Sequence, residues 1–496
     1  MPSKSVLGAN GMMGGTEAPD TPTTPPTRGE DAYAEYAGLT PASFPGDGSL
    51  TVHATGGQGG NGGTAAPGNT SGRIGRSGER AGNATASIHS NHYTDRADFT
   101  ATAQGQTGGF GESGRGANPG MTPGSAGDGG AGGDATASIL SNTVNLMSGG
   151  QAYWRAFASG GTGAAPGDEG SNGTVWGTPG NAGNAGDAFA EIGGNTINAG
   201  GNSVAGILVD LNVRATGGIA YNGGAAPGRP NGRGGNFGDS TARISGNEIL
   251  GSARGDIVYL NATAQRRSPA ETGVAFGPGD FGAAGVARAE IVNNTVNLDS
   301  GDDLLEFRLM TGHQGSQSYS AVRIEGNVLS GGDGFDVLSL HALFVGGGHL
   351  DMNKNSVTGF ELIRGSAGSD TITGAAANDV IAGGLGDDSL DGGSGVDTVT
   401  YSDFGWPLVV SLNILGPQNT GAAGLDTLSS FENLIGGGAG DRLTGHAGAN
   451  IIEGGGGGDT PEWGRRCRHF RTAPWHRQHH RFSGRHSGFY DRRRPS

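Results

Sequence analysis

The sequence predicts an all-β chain built as a right-handed parallel β-helix, or β-solenoid, that passes into a C-terminal β-roll. Three observations carry this expectation. Of 496 residues, 104 are glycine, while only 33% are hydrophobic and 6% aromatic, too little bulky apolar material for several ordinary globular cores. A six-residue core ending in asparagine recurs seven times between residues 86 and 355. From Gly365 a nine-residue period takes over. Periods of this kind mark stacked repeats, each burying its few aliphatic side chains against its neighbours.

The charge balance narrows the partners. Lysine and arginine total 31 against 46 acids, a net charge of -15. Ten of the arginines lie in residues 460–496, whose only acids are Glu462 and Asp491, so the preceding 459 residues hold 21 basic and 44 acidic groups, a net of -23. Such self-repulsion favours cations as ligands and argues against nucleic acid as a partner. The single cysteine, Cys467, excludes an intrachain disulfide framework and a cysteine-rich zinc site. Any metal must therefore be held by oxygen. No apolar run is long enough for a membrane span, and Met1–Asn10 has no apolar stretch of the kind a cleaved export signal needs.

Residues 1–50 contain Pro22-Thr-Thr-Pro-Pro26 and show no apolar periodicity, which reads as a mobile, disordered leader. Residues 51–360 read as β-helix repeats. Their core runs Ala86-Ser-Ile-His-Ser-Asn91, Ala137-Ser-Ile-Leu-Ser-Asn142, Ala190-Glu-Ile-Gly-Gly-Asn195, Ala242-Arg-Ile-Ser-Gly-Asn247 and Ala289-Glu-Ile-Val-Asn-Asn294, and continues at Val322–Asn327 and Leu350–Asn355. The asparagines are 51, 53, 52, 47, 33 and 28 residues apart. Stacked at the strand spacing, they would form a hydrogen-bonded ladder, a structural role. Glycine-rich inserts such as Gly56–Gly63 would loop out from one corner of each coil.

Residues 361–460 carry the chemistry. Four nonapeptides run without a gap: Gly365-Ser-Ala-Gly-Ser-Asp-Thr-Ile-Thr373, Gly374-Ala-Ala-Ala-Asn-Asp-Val-Ile-Ala382, Gly383-Gly-Leu-Gly-Asp-Asp-Ser-Leu-Asp391 and Gly392-Gly-Ser-Gly-Val-Asp-Thr-Val-Thr400. This is the pattern GGxGxDxUx, with U a large aliphatic residue. Glycines such as Gly365, Gly368, Gly383, Gly386, Gly392 and Gly395 permit tight turns and leave carbonyl oxygens accessible. The sixth-position aspartates supply carboxylates, and Ile372, Ile381, Leu390 and Val399 point inward. Two nonapeptides make one 18-residue coil, so Asp370 should face Asp388, and Asp379 should face Asp397. Carboxylates that close call for a divalent cation between them, and calcium, which takes six to eight oxygens in flexible geometry, suits the site better than magnesium. The motif resumes at Gly436, with Asp441 and Asp459 again 18 apart and Asn450 in place of an acid. One further nonapeptide, Gly331-Gly-Asp-Gly-Phe-Asp-Val-Leu-Ser339, lies upstream and makes Asp336 a weak candidate ligand. Degenerate forms surround Asp303 and Asp256. These three either bind further cations or are solvated turn residues.

This block resembles the hemolysin-type calcium-binding repeats of RTX proteins, and Asp426-Thr-Leu-Ser-Ser-Phe-Glu-Asn-Leu-Ile435 resembles the spacer such proteins carry between arrays. The resemblance covers about a fifth of the chain. It implies calcium as the bound ion, a secreted, extracellular location and export by a type I system.

Past Asp459 the pattern stops at Pro461, and residues 461–496 turn rich in arginine and histidine. Glycine-rich repeats encoded in GC-rich DNA yield many arginine codons out of frame, so a frameshift accounts for this tail. The RTX resemblance places an export signal at the extreme C-terminus, which such a shift would remove. A basic or histidine-rich binding tail is the alternative.

No His-Glu-x-x-His, Gly-x-Ser-x-Gly or phosphate-binding Gly-Lys-Ser/Thr occurs. The favoured function is therefore calcium binding in a non-enzymatic extracellular protein of structural or adhesive role, with a polysaccharide or cell surface as partner. The alternative is a calcium-dependent polysaccharide lyase, hydrolase or epimerase drawing on Asp210, Asp256 and Glu306. A pore-forming toxin would need a hydrophobic insertion segment, and the sequence has none.

Overall fold

Short strands with an inward aliphatic residue at every second position cannot bury that face alone, and here they stack on copies of themselves. The computed structural model describes residues 3–7, 27–38, 49–61, 76–94, 96–113, 125–146, 150–168, 176–199, 205–221, 233–265, 283–311, 320–342, 349–462 and 469–471. A typical upstream coil contributes three parallel strands, such as Ala135–Leu140, Thr143–Asn145 and Gln151–Ser159. The first two kinds of strand each build a seven-stranded sheet, and the third builds a sheet of fourteen strands. That long sheet passes from Val337–Ala342 to Leu362–Arg364 and then to Val380–Ala382. Parallel β-helix and β-roll therefore share one wall.

In the roll, Thr371–Thr373, Ser389–Asp391 and Leu425–Ser429 stack on one side. Leu362–Arg364, Val380–Ala382, Thr398–Thr400, Asn433–Ile435 and Ile451–Glu453 stack on the other. A third small sheet joins Val409–Ser411, Arg442–Thr444 and Thr460–Glu462.

The core is a set of side-chain columns. Ile88, Ile139, Ile192, Ile244 and Ile291 occupy one register position and are fully buried. Phe99, Trp154, Leu211, Leu260 and Phe307 fill the facing position on the long sheet, where the Phe99 and Trp154 rings stack at 5.1 Å. Ile363, Ile381, Val399, Leu434 and Ile452 extend the core into the roll. Full burial of one such side chain stabilises by about 1.5–3 kcal/mol.

The asparagines form the expected ladder. Asn142 Oδ1 accepts both the backbone N–H and the side-chain amide of Asn91 at 3.0 Å, and the pattern repeats through Asn195, Asn247, Asn294 and Asn327 to Asn355. Each of Asn142, Asn195, Asn247, Asn294, Asn327 and Asn355 also donates to a carbonyl of the preceding coil, as Asn195 does to Ile139 O at 3.0 Å. These buried polar groups are satisfied by their neighbours, as a dry corner requires.

Two expectations need correction. The glycine-rich inserts do not simply loop out: where described, they are extended segments hydrogen-bonded to neighbouring coils at every third residue. Gly105, Gly108 and Gly111 donate to Ser159, Thr162 and Ala165, and Gly127, Gly130 and Gly133 donate to Glu112, Gly109 and Gln106. A three-residue period is that of a polyproline-II chain, which has no internal hydrogen bonds and so must find partners outside itself. A Cβ on Gly130 would run into the carbonyl of Glu79, so the segments approach more closely than side chains allow.

Part of residues 1–50, read as a leader, belongs to the solenoid. Ser3–Leu7 pairs with Ser49–Thr55, and Ala32–Ala37 pairs with Ala84–His89, burying Ala32 and Ala34. Ala32-Tyr-Ala-Glu-Tyr-Ala37 has the right alternation, but Leu39 stands where later coils place asparagine. Residues 8–26 and 39–48 lie outside the described residues, as do 463–468 and 472–496 of the arginine-rich tail. His469–Arg471 pairs with Ile451–Glu453 in register 18.

Candidate metal centre

Each sixth-position aspartate immediately precedes a strand, which places its carboxylate at the corner of the coil. Asp388 Oδ1 accepts the N–H of Asp370 at 2.8 Å, Asp397 Oδ1 that of Asp379 at 2.8 Å, and Asp459 Oδ1 that of Asp441 at 3.0 Å. The aspartates 18 residues apart are thus brought together as expected, but as a ladder rather than as face-to-face pairs. One oxygen is spent on the preceding coil.

The ladder includes acids that the nine-residue pattern does not reveal. Asp426 Oδ1 accepts the N–H of Asp388 at 3.1 Å, and Glu432 Oε2 accepts that of Asp397 at 2.8 Å. Both come from the interruption between the two arrays, 38 and 35 residues downstream of their partners. Upstream, Asp256, Asp303, Asp336 and Glu361 form the same kind of column, with Asp303 N to Asp336 Oδ1 at 2.8 Å and Asp336 N to Glu361 Oε2 at 2.7 Å. Asp256, Asp303 and Asp336 are fully buried, so they are not solvated turn residues.

The second carboxylate oxygen separates two kinds of turn. In the turns of Asp256, Asp370, Asp379 and Asp441, Oδ2 accepts the N–H of the second residue of the turn: Ser252 at 2.6 Å, Ser366 at 2.5 Å, Ala375 at 2.9 Å and Gly437 at 2.6 Å. In the turns of Asp303, Asp336, Asp388 and Asp397, Oδ2 is buried and has no hydrogen-bond partner. These four turns have positive φ at their second and fourth residues: Asp299 and Gly301, Gly332 and Gly334, Gly384 and Gly386, Gly393 and Gly395. The first kind is closed on its own amide; the second is open. The turn of Asp459, with Gly455 and Gly457 at positive φ, has the open backbone and a more exposed carboxylate.

Of the singled-out glycines, only Gly386 and Gly395 have positive φ; Gly365, Gly368, Gly383 and Gly392 do not, and the second-position Gly384 and Gly393 take that role instead. Gly392 makes room for its own aspartate: a Cβ there would stand 2.6 Å from Asp397 Cβ and 2.9 Å from its Oδ2. The first glycine is a cradle for the carboxylate.

Burial dominates the electrostatics. It pushes the Asp388 carboxyl up to about 7, with Asp426 and Asp370 adding to the rise, against the backbone N–H of Asp370. Burial likewise pushes Asp397 to about 6, Asp336 to about 6 and Asp303 to about 8, and raises Asp379 and Asp441. A buried carboxylate with a free oxygen and a raised pKa is one that lacks a counter-charge.

The donor set fits calcium. Among the described residues no group of three or more His, Cys, Asp or Glu side chains converges on a metal position, so a bound ion would draw on the free Oδ2 atoms together with turn carbonyls. Calcium accepts that mixture of carboxylate and carbonyl oxygen. When bound it would supply the positive charge that makes the ionised carboxylates stable in the corner.

The three acids on which the enzymatic alternative drew fall in two places. Asp256 sits in the buried corner column, whereas Asp210, Tyr259 and Glu306 are consecutive register partners on the long sheet, with Tyr153 before them. The next outward position carries Arg155, Asn212, Asn261 and Arg308. Arg308 Nε donates to Glu306 at 2.6 Å and lies 4.4 Å from the Tyr259 ring, while Asn261 Nδ2 donates to Asp210 Oδ1 at 2.6 Å.

Among the described residues no helix is long and apolar enough to cross a membrane. No curated protein matches the chain. The family model of the RTX calcium-binding nonapeptide repeat matches in four copies, at residues 361–399 and 421–461. The second stretch begins with the turn of Asp426, which the ladder places opposite Asp388. Residues 361–399 and 421–461 are therefore RTX, hemolysin-type calcium-binding repeats.

Proposed function

We propose that the chain is an extracellular structural or adhesive protein whose C-terminal roll is held closed by calcium at Asp388 and Asp397, with Asp370 and Asp379 in the same two columns and Asp441 and Asp459 in a third. The observation that carries the site assignment is the free, buried Oδ2 in turns with two left-handed glycines. Proteins bearing these repeats are typically secreted, which supports an extracellular location and export by a type I system. The long, regular solenoid suits a spacer or surface-layer element. Circular dichroism of the full chain during calcium titration, with magnesium as control, tests the reading. A cooperative gain of β-signal with calcium alone supports it, and a spectrum indifferent to calcium rejects it.

A second reading rests on the outward face of the long sheet. Asp210 and Glu306 alternate with Tyr153 and Tyr259 beside Arg155 and Arg308, a combination suited to a polysaccharide with charged sugars. Glycan-array binding and release of unsaturated or reducing ends from uronate-containing polymers test this reading. No binding and no cleavage would leave the structural role alone.

A further inference from the structure

We infer that the solenoid holds a calcium site of its own, outside the matched repeats, at the stacked turns Leu298–Asp303 and Gly331–Asp336. The inference rests on the reading that open turns in the roll take calcium, and it extends that reading to coils whose corner aspartates are 33 residues apart rather than 18.

The two turns reproduce the roll's arrangement position by position. Gly332 and Gly334 have φ of 100° and 151°, against 99° and 123° for Gly384 and Gly386 and 90° and 147° for Gly393 and Gly395. A Cβ on Gly332 would collide with Asp299 O and one on Gly334 with Gly301 O, as one on Gly384 would collide with Ser366 O. The second and fourth residues thus lie over the second and fourth residues of the preceding turn in both regions. The fifth residues are also laddered, Phe335 N donating to Asp302 Oδ1 at 3.1 Å as Val396 N does to Asn378 Oδ1 at 2.9 Å.

The ligand oxygens point to a missing partner. Asp303 and Asp336 are both fully buried, and the Oδ2 of each has no hydrogen-bond partner. A Cβ on Gly331 would stand 2.7 Å from Asp336 Oδ2, so that oxygen is turned into its own corner. The stacking order matches as well. In the roll a closed turn precedes each open one, Asp370 before Asp388 and Asp379 before Asp397; upstream, the closed turn of Asp256 precedes Asp303 and Asp336. A buried carboxylate oxygen without a donor costs several kcal/mol unless it is protonated or meets a cation. Two of them in successive turns, with the exposed carboxylates of Asp302 and Asp333 beside them, select a hard divalent ion of calcium's size.

The site also departs from the roll. Leu298 stands at the first position of the upper turn and Asp299 at the second, where Asp299 adopts φ of 64° without being glycine. The turn keeps the open shape because aspartate, next to glycine, is among the few residues that enter the left-handed region.

Hydrogen exchange followed by mass spectrometry on the full chain, with calcium and with chelator, tests the inference. Calcium should slow exchange in peptides spanning 298–303 and 331–336 as well as in those spanning 383–397. Protection confined to residues 365 onward would overturn the upstream site and leave the roll intact; no protection anywhere would overturn both. Calcium counting by equilibrium dialysis gives a second arm. The double substitution Asp303→Asn and Asp336→Asn should lower the number of ions bound per chain while Asp388→Asn and Asp397→Asn lowers it separately, and an unchanged count in the first variant, folded by circular dichroism, would sink the inference.

Discussion

Asp388 Oδ1 accepts the backbone N–H of Asp370 at 2.8 Å, while the Oδ2 of the same carboxylate is buried with no partner. One side chain therefore serves two functions that can be separated by mutation. Asp388→Asn keeps the ladder acceptor and removes the charge. The calcium midpoint of the folding transition should rise at least tenfold, about 1.4 kcal/mol, while stability in chelator at neutral pH stays the same or increases. Equal loss with and without calcium would contradict the division of labour.

Asp370→Asn should behave differently. Its Oδ2 already accepts from Ser366 N at 2.5 Å and Ser366 Oγ at 2.9 Å, so a side-chain amide turned there sets donor against donor. We expect a loss of about 1–3 kcal/mol in both calcium and chelator, read from urea midpoints.

Acid should stabilise the calcium-free protein. Burial raises the carboxyls of Asp388 to about 7 and Asp303 to about 8, above the ordinary range near 4. Between those values the folded chain binds more protons than the unfolded chain, so stability in chelator should fall as pH rises from about 4 through 8. Calcium needs the ionised form and should reverse the slope. Melting temperatures across this window, with and without calcium, check the sign.

Asn195→Ala removes the acceptor of Asn142 N and Nδ2 and the donor to Ile139 O and Asn247 Oδ1. Several buried groups lose partners at once, and the loss should reach about 3 kcal/mol or more, independent of calcium. A near-neutral urea midpoint would mean that water enters the corner.

Gly130→Ala tests the glycine-rich segments. A Cβ there meets the Glu79 carbonyl, and no flexible side chain can yield. Gly405→Ala, with open space around it, serves as control. The first should destabilise and the second should not.

Much of this was legible in the sequence because each repeat shows its purpose in a side chain. The seven asparagines declare a ladder by their spacing and the aspartates 18 apart declare themselves neighbours, though as facing pairs where the structure has a ladder, and the inward aliphatics follow from strand alternation. Asp426, Glu432 and Glu361 escaped because they join the columns from irregular spacings, Glu361 and Glu432 each following a phenylalanine in Phe-Glu. The glycine-rich segments escaped for a different reason. Their order lies in backbone contacts at every third residue, and a residue without a side chain writes no pattern that hydropathy can read. The open and closed turns were hidden too: the second position is Ser366 in a closed turn and Gly384 in an open one, but Gly437 stands in a closed turn and Asp299 in an open one, so residue type alone does not separate them.

Each ladder has a direction of its own. In the asparagine and corner-aspartate ladders the backbone donor belongs to one coil and the accepting side chain to the coil after it, from Asn91 and Asn142 to Asp441 and Asp459, whereas the column from Asp31 through Asn83, Asp134 and Asp187 to Asp239, and the fifth-position bonds to Asp302 and Asn378, run the other way. Peeling from either end therefore strips donors at some corners and acceptors at others. The stack is thus a fastener that the ladders close in both directions, and in single-molecule pulling a difference between its two ends should come from the ion-dependent coils, which act as its clasp.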